Sequence, residues 1–184
     1  VRSTLSSLFC FAPFAAALAG CAAPTGLEGD TVEETATTQD ALVSGWTSYI
    51  SEETAPLSCD NSSLISGVQI SGSYADNIRA YCQPTRAARS DSYWTPQFSE
   101  EAQNYQFCAA GYWATGLSCN GGYCDSLSIQ CSRMTNVTAN SCYWTGWVSE
   151  EGGGRLDFGS GYYARGAQCS GRYCDNLRFY VCQL

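Results

Sequence analysis

The chain has 184 residues and a formal net charge of −8, and its nine basic residues are all arginine, with no histidine. This composition excludes catalysis by a histidine base, Schiff-base chemistry on lysine and a lysine-dependent phosphate loop. A negative chain with so few cations is also a poor nucleic-acid binder, so no nucleic-acid partner is expected.

Residues 1–20 have the layout of a secretory signal peptide, because Arg2 precedes an apolar run too short to span a membrane. The run ends in Leu18, Ala19, Gly20 and Cys21, which resembles a bacterial lipobox. The resemblance implies cleavage before Cys21 and lipidation of that cysteine. Because the next residue is not Asp, it further implies sorting to the outer membrane or cell surface. Ordinary secretory cleavage after Ala19, which would release a free protein, is the alternative.

Residues 21–45 form the expected lipidated N-terminus and an acidic, disordered tether. Residues 22–45 contain five carboxylates, no basic residue and no aromatic residue, which is typical of a solvated linker. Residues 46–184 carry twelve acids and eight arginines, a net charge of −4. The acidity of the chain therefore comes largely from the tether and does not identify a ligand of the body.

Residues 46–184 consist of three copies of one unit, at 46–82, 94–131 and 144–182. Each copy begins with Trp-Thr, has Ser-Glu-Glu starting five residues after the tryptophan, and later contains Gly-x-Tyr-x-Asp. Ordered self-similarity of this kind predicts a repeated architecture. The recurring residues are Trp46, Trp94 and Trp144; Glu52, Glu100 and Glu150, each followed by a second glutamate; and Asp76, Asp125 and Asp175.

The pattern inside each unit predicts β-strands. Residues 78–82 and 127–131 alternate between apolar and polar side chains, and glycine, asparagine and serine interrupt such runs every 8–12 residues or so. Glycines in the Gly-x-Tyr-x-Asp segments suit hairpin turns. Three units of three or four strands each predict an all-β body with three-fold internal repetition, because closure removes exposed sheet edges.

Ten cysteines lie outside the signal and the lipobox, and an even number in an exported chain predicts disulfides. One pair of cysteine positions changes together in the first unit, to Ile70 and Ala75, and another pair changes together in the third, to Phe158 and Val181. The joint loss of two cysteines is explained most simply if the two are bonded to each other, because losing only one would leave an unpaired buried thiol. Cys182 follows the inward-facing Val181, so it is expected to point outward. The predicted disulfides are Cys59–Cys82, Cys108–Cys131, Cys119–Cys124 and Cys169–Cys174, which leaves Cys142 and Cys182 as the last pair.

The arrangement of these motifs resembles the vitelline membrane outer layer protein family. A tryptophan opens each unit, and Asp-Asn-Ile/Leu-Arg begins the last strand at residues 76–79 and 175–178, closed by Cys82 in the first unit. The second unit departs from the pattern with Ser126 and Ser128. The resemblance implies a three-fold β-prism and, more loosely, association with carbohydrate in an extracellular coat. A β-trefoil is the alternative three-fold fold.

Residues that repeat in all three units are expected to serve the fold. The paired glutamates could hold a cation or a sugar hydroxyl, but bonding a turn amide is preferred because the need is triplicated. The repeated aspartates are expected to accept backbone amides in Asx-type turns. The repeated tryptophans are expected to anchor the core, as are Trp113 and Tyr163, which align with Leu64.

Aromatic residues that differ between units are better ligand candidates, because recognition need not follow the repeat. Sugar rings stack on such side chains through their C–H groups. Ordinary surface or half-buried aromatics are the alternative interpretation. The candidates are Trp147, Tyr112, Tyr162 and Tyr105.

The expected function is non-catalytic carbohydrate binding by a lipid-anchored envelope protein. Its partner would be a glycan or an envelope polysaccharide, and it would contact the membrane only through its anchor. A structural or adhesive protein that binds another protein is one alternative, and a glycan-active enzyme using two carboxylates is another. No catalytic residue is predicted, because the chain has no histidine or lysine that could activate a serine. No metal or cofactor is predicted either.

Overall fold

The computed structural model describes residues 45–184. These residues form thirteen β-strands and three short 3-10 turns, with no α-helix in this part of the chain, which confirms the predicted all-β class. The strands are β1 Gly45–Trp46, β2 Leu57–Ser58, β3 Ser63–Ser71, β4 Asn77–Pro84, β5 Arg89–Trp94, β6 Tyr105–Phe107, β7 Tyr112–Asn120, β8 Ser126–Met134, β9 Asn140–Trp144, β10 Val148–Ser149, β11 Arg155–Asp157, β12 Tyr162–Ser170 and β13 Asn176–Gln183. The turns are Ser73–Ala75, Gly122–Cys124 and Arg172–Cys174.

The strands make three antiparallel sheets, each built on one long hairpin. The first sheet has the order β1-β4-β3-β11, and the second has the order β2-β7-β8-β5. The third has the order β10-β13-β12-β6, and β9 also pairs with β13. The three hairpins share one irregularity, a bulge directly before Gly67, Gly116 or Gly166. Each of the three sheets is therefore built on a long hairpin with a bulge at the same place in its register.

Each sheet also contains a short strand from a different repeat. Strand β2 of the first repeat pairs with β7, β6 of the second pairs with β12, and β11 of the third pairs with β3. The bulge glycines make room for these strands. A Cβ on Gly67, Gly116 or Gly166 would lie 3.0, 2.5 or 2.5 Å from atoms of β11, β2 or β6. The exchange links the repeats in a cycle and covers one edge of every hairpin.

The inner side of the hairpins forms the core. Every second residue from Ile78 to Cys82 is buried on β4, as the period of two in a strand requires. These residues join one large apolar cluster to which all three sheets contribute. A smaller cluster contains Leu64, Trp113 and Tyr163, so the prediction that these aligned residues belong to the core is confirmed.

The repeated tryptophans do not anchor the core, so that prediction is wrong. Trp94 is 39 % exposed, and Trp46 and Trp144 are half-buried. The following threonine makes the inward contact instead: the Thr95 hydroxyl accepts the backbone amide of Ile129 at 3.0 Å, and the other two repeats make the same bond. Alternation along the strand then directs the tryptophan ring outward.

Five disulfides connect the cysteine pairs expected from the repeat. Cys182 points away from Val181, as predicted, but it is not exposed to solvent. It lies on the other side of β13 from Val181, where the smaller cluster buries it completely. The bonds are Cys59–Cys82, Cys108–Cys131, Cys119–Cys124, Cys142–Cys182 and Cys169–Cys174.

The number of disulfides indicates an exported protein that folds in an oxidising environment. The predicted signal peptide at 1–20, Cys21 and the tether as far as residue 44 lie outside the described residues. Across residues 45–184, no helix combines the length and apolar character needed to cross a bilayer.

Candidate functional site

The first glutamate of each Ser-Glu-Glu holds a turn that belongs to another repeat. Its carboxylate accepts a backbone amide from that turn, which confirms the structural role preferred for these residues. The Oε1 atoms of Glu52, Glu100 and Glu150 accept the amides of Tyr123, Tyr173 and Tyr74 at 3.3, 2.7 and 3.2 Å.

The same turns bring three tyrosines together in a group that we call the tyrosine cluster. The ring centroids of Tyr74, Tyr123 and Tyr173 lie 5.3 Å apart in all three pairs. The guanidinium of Arg172 lies 4.8 Å from the centroid of the Tyr173 ring. The repeated Gly-x-Tyr-x-Asp pattern was visible in the sequence, but only the cyclic arrangement of the repeats shows that its tyrosines meet.

The aspartate that follows each of these tyrosines packs against the glycine of its own turn. A Cβ on Gly72 would lie 1.8 Å from Oδ1 of Asp76, so glycine is required for this approach. The side-chain amides of Asn77 and Asn176 donate to Asp76 and Asp175. These aspartates are therefore structural, as predicted, but Asp76 and Asp175 bond a neighbouring side chain rather than the expected turn amide.

The outward sides of the three sheets, which we call the first, second and third outer faces, share one layout. A row of side chains crosses each face. It begins on the short strand from another repeat (β11, β2 or β6), crosses the two strands of the hairpin and ends in the segment that follows Trp-Thr. The strand registers make the positions in these rows equivalent. The rows are Arg155, Gln69, Arg79 and Tyr49 on the first face; Pro56, Ser118, Ser128 and Gln97 on the second; and Tyr105, Gln168, Arg178 and Trp147 on the third.

The third outer face carries a strip of exposed aromatic rings. Trp147, Tyr105 and Phe107 are 45, 42 and 41 % exposed. Phe107 connects the strip, since its ring centroid lies 5.6 Å from that of Tyr105, 5.4 Å from that of Trp144 and 5.3 Å from that of Tyr180. Phe107 takes this position because it lies over Gly166, whose missing side chain leaves space for the ring.

An arginine covers the repeated tryptophan on two of the three faces. On the third face, the Arg178 guanidinium lies 4.8 Å from the Trp144 ring centroid and 4.6 Å from that of Trp147, and its Nε donates to Oε1 of Gln168 at 2.8 Å. The first face repeats the arrangement. There Arg79 lies 5.0 Å from Trp46 and 4.6 Å from Tyr49, and its Nε and Nη2 donate to Oε1 of Gln69 at 3.1 and 2.6 Å.

The second outer face lacks both members of this pair. Ser128 stands in the arginine position and Ser118 in the glutamine position, so no guanidinium covers Trp94. A cavity of about 240 Å³ occupies the space, and we call it the Trp94 groove. Its lining residues are Pro56, Trp94, Gln97, Ser118, Asn120 and Ser128.

Of the four predicted ligand residues, only Trp147 and Tyr105 share a face. Tyr162 is half-buried, with its ring centroid 5.2 Å from that of Tyr143. Tyr112 is also half-buried, with its ring centroid 5.2 Å from that of Tyr93. The structure therefore separates these two tyrosines from the aromatic strip.

A polar network surrounds Tyr112. Its hydroxyl donates to a carboxylate oxygen of Asp91 and accepts from Nη2 of Arg133 at 3.1 Å, and Arg133 also pairs with Asp91 at 3.3 Å. The hydrogen bonds from Tyr112 and then from Ser90 lower the pKa of Asp91, and the contact with Tyr112 raises the pKa of Arg133. Both charged groups are exposed, so this network orients Tyr112 rather than forming an acid–base pair.

Two groups of side chains have spacings that could suit a metal ion. Each combines one glutamate with two cysteines, namely Glu52 with Cys119 and Cys124, and Glu100 with Cys169 and Cys174. In both groups the two sulfurs are joined in a disulfide, so they are not thiolate ligands.

No protein-family model, curated protein or solved structure matches this chain. Function is therefore inferred from the chemistry of the three faces alone. Two of them offer aromatic surface to a ligand: the third through its exposed strip and the second through the Trp94 groove.

Proposed function

We propose that this protein is a cell-envelope lipoprotein whose body binds carbohydrate without catalysing a reaction. The observation that supports the proposal is the aromatic strip of the third outer face. Three of its rings are between 41 and 45 % exposed. Phe107 adjoins Tyr105 and Trp144, and Arg178 lies against both Trp144 and Trp147. A contiguous exposed apolar patch on a soluble domain marks an interaction surface.

The strip suits a chain of sugar rings. The C–H faces of a pyranose pack against aromatic side chains, while its hydroxyls need donors and acceptors nearby. Arg178 and Gln168 lie in the same row and supply both. Phe107 holds Tyr105 and Trp144 by edge-to-face contacts, and Arg178 contacts the Trp147 ring, so little side-chain entropy is lost when a ligand binds.

We further propose that the body is a three-fold β-prism like that of the vitelline membrane outer layer protein family. Three separate sheets, a shared bulge and a cyclic exchange of strands support it. The meeting of the three turns at the tyrosine cluster supports a common axis. A β-trefoil would instead combine its hairpins into one barrel.

We also propose that residues 1–20 direct export and that Cys21 carries the lipid anchor, at the outer membrane or cell surface. The motif supports this, and the disulfides of the body agree with export. Cys21→Ser is expected to move the protein from the membrane fraction to the soluble fraction. Unchanged partitioning would refute lipidation at this residue.

Carbohydrate binding is tested with the soluble Cys21→Ser protein on a glycan array that includes the polysaccharides of the producing cell. We expect binding to at least one glycan class. Trp147→Ala and Tyr105→Ala should each weaken that binding by about tenfold, ~1.4 kcal/mol, with little change in Tm because both rings are exposed. Tyr49→Ala, at the Trp147 position of the first face, is the control. An array without any bound glycan would refute the proposal.

A second candidate function is adhesion to another protein, and the tyrosine cluster favours it. Tyrosine and arginine are the residues most enriched at binding hot spots, and here Tyr74 and Tyr123 are exposed beside Arg172. A glycan-active enzyme has less support, because the first glutamate of each repeated pair is engaged in holding a turn.

A further inference from the structure

We propose that the Trp94 groove of the second outer face is a subsite for one neutral pyranose ring. The inference rests on the proposed carbohydrate binding and names a site for it that is separate from the aromatic strip.

The first and third faces show what normally fills this position. A guanidinium stacks on the repeated tryptophan, at 5.0 Å on the first face and 4.8 Å on the third, and a glutamine oxygen on the neighbouring strand holds it there. The guanidinium is a planar group, and its hydrogen bonds to glutamine come from Nε and Nη2 on the first face and from Nε on the third. The scaffold therefore accommodates a flat group against the outer side of this tryptophan.

The second face has lost the stacked group together with its holder. Ser118 and Ser128 lie opposite each other in the register that pairs Gln168 with Arg178 on the third face. Removing the long side chains leaves the cavity of about 240 Å³ and exposes 39 % of Trp94. This volume is below the ~300–1,000 Å³ of pockets for drug-sized ligands, so it suits a single ring.

The lining selects for a neutral, hydroxyl-rich ligand. None of the six lining residues is charged, and they offer two amide side chains and the hydroxyl of Ser118 around an indole ring, with Ser128 buried at the base. The side-chain amide of Asn120 donates to Oγ of Ser118 at 3.2 Å, and this hydrogen bond orients both side chains in the groove. Amides and hydroxyls both donate and accept, as the hydroxyls of a sugar require, while its C–H face can pack on Trp94.

The lining of the groove disfavours an arginine side chain of a partner protein as the occupant. On the other two faces the guanidinium depends on the oxygen of Gln69 or Gln168, and serine replaces that residue in the groove. A cation entering the groove would lose water without gaining a carboxylate, and only neutral oxygens, with serine at the position of the glutamine, would replace that water. A neutral ring does not incur that desolvation penalty.

The groove can be closed with residues that the protein already uses in its other faces. The double variant Ser118→Gln/Ser128→Arg rebuilds the arginine–glutamine pair over Trp94. The reverse double variant Gln69→Ser/Arg79→Ser opens the equivalent position of the first face and serves as the matched control. Both changes lie on the outer side of a hairpin, away from the large apolar cluster.

Binding is followed in the soluble Cys21→Ser protein through the indole N–H signals of its five tryptophans, with the Trp94 signal assigned by Trp94→Phe. The probes are the methyl glycosides of glucose, mannose, galactose and N-acetylglucosamine, with L-argininamide as the cationic probe. We expect at least one glycoside to shift the Trp94 signal saturably. The closing variant should weaken that binding by about tenfold or more, and the control variant should leave it unchanged.

Several results would overturn the inference: a Trp94 shift with L-argininamide but no glycoside, no shift with any probe, or a shift that survives the closing variant. Glycosides that shift only the Trp144 and Trp147 signals would refute the groove yet leave carbohydrate binding by the third face intact. A blank glycan array would refute both. If the closing variant does not fold, Trp94→Ala replaces it, because Trp94 is an exposed side chain. Its binding is compared with wild type by titration calorimetry, since the Trp94 signal is absent, and unchanged glycoside binding would overturn the inference.

Discussion

Two consecutive residues in each turn at the tyrosine cluster adopt positive φ, although neither is glycine. Tyr123 and Cys124 have φ values of 60° and 58°, and the equivalent residues of the other repeats are alike. This conformation costs an L-residue roughly 1–2 kcal/mol. The contacts of the turn offset that cost, since Glu52 accepts the Tyr123 amide, Cys119 bonds Cys124 and the three rings pack together.

Gly121→Ala is expected to lower the free energy of unfolding by roughly 1–3 kcal/mol. Gly121 has a φ of +74°, and a Cβ there would lie 1.9 Å from Oδ1 of Asp125. Gly122→Ala is the matched control, because a Cβ at that position has no atom within 4 Å. The control should change stability by less than about 0.5 kcal/mol. Urea unfolding measures both, and equal effects would show that the turn does not need glycine at residue 121.

Tyr163 should make the protein less stable at alkaline pH. Burial raises the pKa of this phenol, whereas an unfolded tyrosine titrates near about 10. The folded state therefore keeps a proton that the unfolded state loses, so its stabilisation is complete below about pH 10 and disappears as pH rises through the folded pKa. Tyr163→Phe should flatten the decline in unfolding free energy between about pH 9 and 11 relative to wild type. Tyr105→Phe, which removes an exposed hydroxyl, is the control, and an equally steep decline in Tyr163→Phe would contradict the assignment.

Among the strands, the long hairpins could be predicted from the sequence and the exchanged strands could not. Residues 78–82 alternate over a whole strand, and comparing three copies identified which cysteines change together. Strands β2, β6 and β11 are only two or three residues long, which is too short for a periodic signal, and their partners lie in another repeat. The tryptophans were misplaced for a related reason, because repetition alone does not say which side of a strand a residue faces.

The two kinds of repeated disulfide should differ in their contribution to stability. The chain-entropy model gives about 2 kcal/mol for the five-residue separation of Cys119–Cys124 and about 3 kcal/mol for the 23-residue separation of Cys108–Cys131. Each bond can be replaced by the pair that another repeat carries at those positions, which avoids a lone thiol. The replacements are Cys119→Ile with Cys124→Ala, and Cys108→Phe with Cys131→Val.

Urea unfolding of the two double variants should show the larger loss of stability for the 108–131 replacement. The introduced residues already pack at the equivalent positions of another repeat. Cavities should therefore change the free energy of unfolding less than the loss of the cross-link does. A larger loss from the 119–124 replacement would mean that this bond acts by holding the left-handed turn rather than by shortening a loop.

At the scale of the whole molecule, one scaffold presents three chemically different faces. The first is covered by arginine, the third by aromatic rings, and the second is open at the Trp94 groove. Trp147 and Tyr105 could be predicted as ligand candidates because large rings that break the repeat are visible in the sequence. The groove could not be predicted, because it results from two small serines that become neighbours only through the register of β7 and β8.

The cyclic exchange of strands predicts that the repeats do not fold independently. In a fragment of residues 45–139, the first sheet lacks β11, and β6 has no β12 to pair with. The large apolar cluster also loses every residue contributed by the third repeat. With its disulfides formed, this fragment should lack the near-ultraviolet circular dichroism of the full chain and should unfold in urea without a cooperative transition. Adding a peptide of residues 140–184 should restore both signals, whereas cooperative unfolding of the fragment alone would show that the exchanged strands are dispensable.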